Sequence, residues 1–347
     1  MLPEYPHATP PAAGESIEVA PGIHWLRMPL PFALNHINLW LLEDEEAGRP
    51  GWTLIDTGFA LDAVKACWET LLARLNASPR GGRILRIVVT HFHPDHLGLA
   101  AWLQERSGAP IFMTLGEYLT AHAVWHETGG HGIAAMLGQF RAHGLNAERC
   151  ARLEGNRGLY KRGVPSLPTA YRRLFDGNVL TFGGRHWQVR VGFGHSPEHA
   201  ALYCAKLGLL ISGDMLLPAI STNVSVYAVT PMADSLADYL ASLDRYRQLP
   251  EETLVLPSHG LPFFGMHDRI DALHEHHAER LKILEANCEI PRSAAELLSS
   301  LFARELDSHQ TMFAMGEAIA HLNRLEHAGR LTRLSGDDGT IRFVARK

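Results

Sequence analysis

Bulky apolar runs bounded by Gly, Pro and acidic residues mark the first ordered stretch: GIHWLRMPL (22–30), HINLWLLED (36–44) and WTLIDTG (52–58) read as β-strands. ALDAVKACWETLLARLN (60–76) changes to helical spacing and ends before Gly82. The strand RILRIVVT (83–90), the amphipathic LGLAAWLQERSG (97–108), closed by Gly108, and the strand PIFMT (110–114) follow. A later series, VLTFGG (179–184), HWQVRVGFG (186–194), AALYCAKLGLLISGD (200–214) and TLVLPSHG (253–260), is strand-rich and broken by glycine, which predicts a second sheet. Two sheets with helices outside them make an α/β protein, a four-layer αββα sandwich.

Residues 116 to about 175 interrupt this scheme with mostly helical, glycine-broken sequence and read as an insertion. From Pro291 the texture changes again. SAAELLSSLFARELD (293–307) opens with Ser293 and Glu296 at capping-box spacing, and MFAMGEAIAHLNRLEHAGR (312–330) is a second amphipathic helix ending near Gly329. LTRLSGDDGTIRFVARK (331–347) reads as a hairpin around Gly-Asp-Asp-Gly. The expected division is a main domain over 1–285 and a small winged-helix-like domain over 291–347.

Composition narrows the class without naming it. With 347 residues, 46% hydrophobic and 20% charged, the chain is long enough for a substantial core. No run approaches eighteen uninterrupted apolar residues and the N-terminus lacks a signal-peptide pattern, so the expectation is a cytoplasmic protein with no membrane partner. Cys67, Cys150, Cys204 and Cys288 form no CxxC pair and read as reduced packing residues. A net charge of −5 exerts no global pull on polyanions. The chain carries 21 histidines, far more than one site uses, so position must select among them.

Position selects VVTHFHPDHLG (88–98), where His91, His93, Asp95 and His96 fall within six residues directly after an apolar strand. Pro94 helps bend the backbone, so that imidazoles two apart can share one side, and Asp95 and His96 stand at the entrance of the following helix. Imidazole and carboxylate donors this close suit a divalent ion. HEHH (274–277) lies on a charged helix and reads as a solvated face.

The H-x-H-x-D-H pattern resembles the metallo-β-lactamase fold superfamily. Following that resemblance along the chain, GFGHSPEHAALYC offers His195, GLLISGD offers Asp214, LVLPSHG offers His259, and LIDTG offers Asp56 as a support behind the ligands. The resemblance implies one ion on His91, His93 and His195, a second on Asp95, His96 and His259, and Asp214 bridging them. Asp95 and Asp214 then carry the catalytic role, with a hydroxide held between two divalent ions. Zinc suits this donor set best, and Fe or Mn accept it. His199 reads as a surface or supporting residue rather than a ligand, and His36 could face the site.

The whole-chain pattern looks like the branch containing glyoxalase II and the human lactamase-like endoribonuclease. The first functional expectation is therefore hydrolysis of a thioester or ester of a small acyl compound, such as an acyl-CoA. The alternatives are a lactonase and an endoribonuclease or phosphodiesterase using the same metals. The insertion holds eight Lys or Arg against four Glu, which could meet an anionic group, and Trp125, Leu159, Tyr160, Tyr171, Arg172 and Arg173 are candidates for the substrate pocket. Residues 291–347 hold eight Lys or Arg against seven Asp or Glu, a weak balance for a nucleic-acid module. The terminal amphipathic helices need a surface to bury against, which the main domain or a second copy in a homodimer would supply.

Overall fold

The computed structural model describes residues 3–155 and 157–346. Its strands are β1 Ser16–Ala20, β2 Ile23–Pro29, β3 His36–Glu46, β4 Arg49–Ile55, β5 Ile84–Val88, β6 Ile111–Thr114, β7 Arg172–Leu174, β8 Val179–Phe182, β9 Arg185–Gly192, β10 His199–Cys204, β11 Leu209–Gly213, β12 Leu254–Pro257, β13 Leu331–Ser335 and β14 Ile341–Ala345. The first seven form one sheet in sequence order, antiparallel from β1 to β4 and parallel from β4 to β7. The second runs β12-β11-β10-β9-β8, with only β11 and β12 parallel. This is the expected αββα sandwich.

Alternation explains the layering. In β10, Ala200, Leu202 and Cys204 face the space between the sheets, while Ala201 and Tyr203 face outward into a helical layer. β3 does the same, with Trp40 and Leu42 inward and Leu39 and Leu41 outward. Trp25 and Trp40, fully buried with ring centroids 6.3 Å apart, fill the inter-sheet space. Helices Asp62–Asn76 and Ala100–Ser107 cover the first sheet, and Gly108 closes the latter in the left-handed conformation.

Two sequence readings change. The insertion does not extend to residue 175: helices Leu115–Trp125, Ile133–Ala142, Ala147–Glu154 and Leu159–Gly163 are followed by β7, the edge strand of the first sheet. Its Arg-Arg-Leu has no apolar run to announce it, because an exposed edge tolerates charge. The proline-rich lead also contains β1, an edge strand too short and polar to read.

The terminal segment consists of Ala294–Leu301 with the Ser293–Glu296 capping box, Ser308–His327 with its own Asp307–Gln310 box, and the β13–β14 hairpin. It shares one core with the rest of the outer layer. Ala318, Ile319, Leu322 and Phe343 pack in the same cluster as Leu137, Phe140 and Leu153 of the insertion, Leu236 and Leu243 of helix Ser235–Asp244, and Ile270, Leu273 and Leu284 of helix Met266–Ala286. Leu284, before the expected boundary, and Ala294, after it, belong to it equally. All four cysteines are buried and free. Among the described residues no helix is long and apolar enough to cross a membrane.

Candidate metal centre

The sequence-predicted site residues come from strand ends that meet along one rim of the sandwich. Asp56 follows β4, His91 to His96 follow β5, Asp214 follows β11 and His259 follows β12, while His195 precedes β10. The β5 segment then turns directly into the four-residue helix Pro94–Leu97. Gly98 makes this sharp turn fit, since a Cβ there would come within 2.4–2.5 Å of the carbonyl oxygens of Pro94, Gly58 and Gly163.

The seven side chains converge as two groups, His91, His93, His195 with Asp214, and Asp95, His96, His259. In the first, His91 Nε2 lies 2.9 Å from His93 Nδ1 and 3.2 Å from His195 Nε2, and Asp214 Oδ2 is 3.4 Å from His195 Nε2. In the second, His259 Nε2 is 3.4 Å from Asp95 Oδ2, and His96 Nε2 is 3.7 Å from the same oxygen. Asp214 Oδ1 lies 3.5 Å from both His96 Nε2 and His259 Nε2. One carboxylate thus turns one oxygen to each group.

The donor chemistry fits divalent cations. Ligands about 2.0–2.2 Å from a shared ion stand a little over 3 Å from one another, the spacing seen here. Nε2 of His96 and Oδ1 of Asp214 are buried with no hydrogen-bond partner, an arrangement that is costly unless something else satisfies them. The opposite nitrogens of four of the five imidazoles are held. His96 Nδ1 donates to Asp56 Oδ2 at 2.7 Å, His195 Nδ1 to the Asn223 carbonyl at 2.8 Å, His259 Nδ1 to the His36 carbonyl at 2.8 Å, and His91 Nδ1 to Thr90 Oγ1 at 3.0 Å. Such anchoring leaves these four Nε2 atoms aimed inward, while His93 turns Nδ1 to the group.

Charge balance gives the same picture. Burial, together with His195, holds His93 down to about 3, and burial with the surrounding imidazoles holds His91 well below its ordinary value. Burial also opposes protonation of His259, but Asp214 and Asp95 outweigh it and hold the imidazole up to about 10. For His96, Asp56, Asp95 and Asp214 outweigh burial in the same way. Without a cation the second group therefore retains protons, which a metal would displace.

Asp56 sits behind the ligands, with φ +62°, accepting from the Thr90 amide and hydroxyl as well as from His96. His199 is buried rather than superficial. Its Nε2 accepts the Asp214 amide at 3.1 Å, and a side chain on Gly213 would come within 2.3 Å of that nitrogen. His36 also reaches the site, accepting the Gly260 amide at 3.0 Å. Sequence reasoning counted Glu117 only as a charge in the insertion. It is fully buried and joins the two ligand loops: Oε2 accepts the Phe92 amide at 2.9 Å, while Oε1 accepts the Ser196 hydroxyl at 2.6 Å and the Glu198 amide at 2.7 Å. Burial pushes its carboxyl up.

The pocket candidates divide. Tyr160 donates its hydroxyl to the Phe92 carbonyl at 2.8 Å, at the ligand loop, and Tyr171 stacks on Tyr118 with centroids 4.0 Å apart. Trp125 is tied by its indole N–H to the Val164 carbonyl, and Leu159 opens the helix containing Tyr160. Arg172 and Arg173 lie elsewhere, exposed on β7 with guanidiniums over Phe112 and Phe175. Arg172 neighbours Arg86, which pairs with Asp44 near the end of β3 remote from Asn38 and the ligands. His277 corrects the reading of HEHH as a solvated face: it is buried, with Nδ1 3.1 Å from Nε2 of buried His321.

Comparison with known proteins agrees with this geometry. The family described as the metallo-beta-lactamase superfamily matches residues 34–259, and its metallo-beta-lactamase-like C-terminal domain matches 281–346. A crystal structure of a beta-lactamase domain protein from Burkholderia ambifaria is 47% identical, covers 99% of this chain and 98% of its own, and superposes with a TM-score of 0.91. The probable metallo-hydrolase YqjP of Bacillus subtilis is 26% identical over 88% of this chain and 93% of its own length. A hydroxyacylglutathione hydrolase of Roseobacter denitrificans is 26% identical over 68% of this chain and 86% of its own. The chain is a metal-dependent hydrolase that belongs to the metallo-β-lactamase superfamily.

Proposed function

We propose that this enzyme hydrolyses thioesters of small acyl compounds, with a zinc pair as the preferred occupant of the seven-ligand site. The observation that carries a catalytic reading is Asp214, whose two oxygens address two separate donor groups, leaving coordination positions open on both sides. When bound, two divalent cations supply an acidified water and polarise the substrate carbonyl.

The protein's own groups favour a leaving group that departs as an anion. The phenols beside the ligand loops are committed to backbone carbonyls, Tyr160 to Phe92 at 2.8 Å and Tyr227 to His195 at 3.5 Å. Burial pushes both hydroxyls up, so neither is a ready proton donor. A thiol, with a pKa of about 8.5, leaves without that help, whereas an amine or alkoxide needs it. The similarity to hydroxyacylglutathione hydrolases supports the same substrate class.

A nuclease reading has less support. Arg152 pairs with Glu148, Arg157 with Glu154 and Glu127, and Lys161 lies over Trp125, so much of the insertion's positive charge is already engaged. The deciding experiment assays purified, zinc-loaded protein against acyl-CoA and acylglutathione thioesters, lactones and single-stranded RNA. Thioesters should show the highest kcat/KM. Turnover of RNA alone, or of lactones alone, overturns the proposal.

A further inference from the structure

Helix Ser308–His327 runs along the segment between Asp214 and helix Ser235–Asp244 and grips it repeatedly. Asn323 Nδ2 donates to the carbonyls of Pro231 and Ala233 at 3.0 Å each, His327 Nε2 to the Met232 carbonyl at 2.8 Å, and Arg324 pairs with Asp234 at 3.0 Å. At Gly316 the helix meets this segment without a side chain. Gly316 faces Ser225, and a Cβ on Gly316 would stand 2.3 Å from Ser225 Oγ and 2.8 Å from its Cβ, too close for a hydroxyl rotation to relieve.

What Ser225 holds gives the contact its meaning. Its hydroxyl donates to Asn223 Oδ1 at 2.7 Å, and the Asn223 carbonyl accepts His195 Nδ1 at 2.8 Å. One residue earlier, Thr222 donates its hydroxyl to the Asp214 carbonyl at 2.5 Å. We propose that Gly316 and Ser225 form a seat through which the C-terminal helix sets the orientation of His195, making that helix a positioning part of the metal centre. Residues 281–346 would then act on the chemistry without touching substrate. The inference rests on the metal-ligand assignment and is independent of which ester is cleaved.

The test uses the full-length, metal-loaded protein and measures how fast bound zinc is lost to a chelator. Gly316→Ala should lose zinc on the order of 10- to 100-fold faster, the range found when a group orienting a ligating imidazole is disturbed. Ser225→Gly alone should also lose zinc faster, because it removes the hydroxyl held against Asn223, and adding it to Gly316→Ala should speed the loss no further, because only Ser225 Cα then remains near the new methyl, at an ordinary 3.5 Å. Wild-type retention in Gly316→Ala overturns the proposal, and so does a double variant whose loss is the product of the two single effects, since general helix damage would add to the missing hydroxyl instead of sharing its route. If Gly316→Ala is not recovered folded, Ser225→Ala decides: it adds no bulk, and faster zinc loss supports the seat whereas wild-type retention overturns it.

Discussion

Two histidine clusters in this protein have opposite fates. His91, His93 and His96 share their loop with Asp95, and Asp214 reaches in from β11, so inward-facing nitrogens meet carboxylate oxygens. His277 and His321 meet between two helices, where one ring bonds the other and His321 Nδ1 donates to the Glu317 carbonyl at 2.8 Å. Burial with neighbouring cationic groups holds these imidazoles down, His277 to about 2 and His321 to about 4. Density of histidine is therefore not what makes a metal site. The difference lies in a converging carboxylate and in the anchors behind His91, His96, His195 and His259 that leave one nitrogen of each free to face an ion.

Removing the carboxylate should break the contrast most severely. Asp214→Ala should lower kcat/KM by roughly three orders of magnitude, because several kcal/mol of charge stabilisation would depend on the ions proposed to sit on it. Elemental analysis should find fewer than two ions per chain, and a variant that keeps both refutes its bridging role. Asp56→Ala, which removes the anchor of His96 Nδ1, should weaken metal binding about 10- to 100-fold as measured by chelator competition.

The buried pair should behave as packing. A His277→Leu, His321→Leu double variant should keep kcat within about twofold at neutral pH, since replacing both partners by apolar groups is close to neutral. His277→Leu alone should cost about 1–3 kcal/mol in denaturant unfolding, because His321 Nε2 loses its partner. Both folded-state values lie below the unfolded 6.5, so the unfolded chain takes up protons first as pH falls. Their share of stability is complete above pH 6.5 and is lost toward pH 4, at up to about 1.4 kcal/mol per pH unit for each ring. Chemical denaturation between pH 7.5 and 4.5 should show a shallower decline in the double variant, and identical slopes would remove the pair from the acid response.

The smallest effect should come from the exposed edge. Arg172→Ala and Arg173→Ala should leave KM for an anionic thioester within about twofold, because both guanidiniums lie over Phe112 and Phe175 on β7 rather than at the ligands. A large rise in KM would return these arginines to the substrate path.

What could be read from the sequence follows from how local each constraint is. The inner strands of the first sheet and those of the second announced themselves through apolar runs, and the loop from His91 to His96 lies within six residues, so its chemistry needs no knowledge of the fold. Asp214 and His259 follow strands, which gave the resemblance positions to fill. Glu117 was illegible because its partners, Phe92, Ser196 and Glu198, belong to two distant segments, and nothing in Gly-Glu-Tyr-Leu marks a buried carboxylate. His277 carried a usable signal. It stands four residues after Leu273 and seven after Ile270, both buried on the same helix, so it continues their face despite charged neighbours. β7 was hidden because an edge strand carries few apolar residues.

The shared outer core has a consequence for biosynthesis. Ala201, Tyr203, Leu210 and Val255 on the second sheet's outer face emerge from the ribosome well before Ala318, Ile319 and Leu322, which cluster with them. A nascent chain that already possesses every proposed ligand still displays uncovered greasy surface, a state prone to aggregation or chaperone capture. Translation that stops just after His259 would therefore yield a product with the right donors and no durable enzyme.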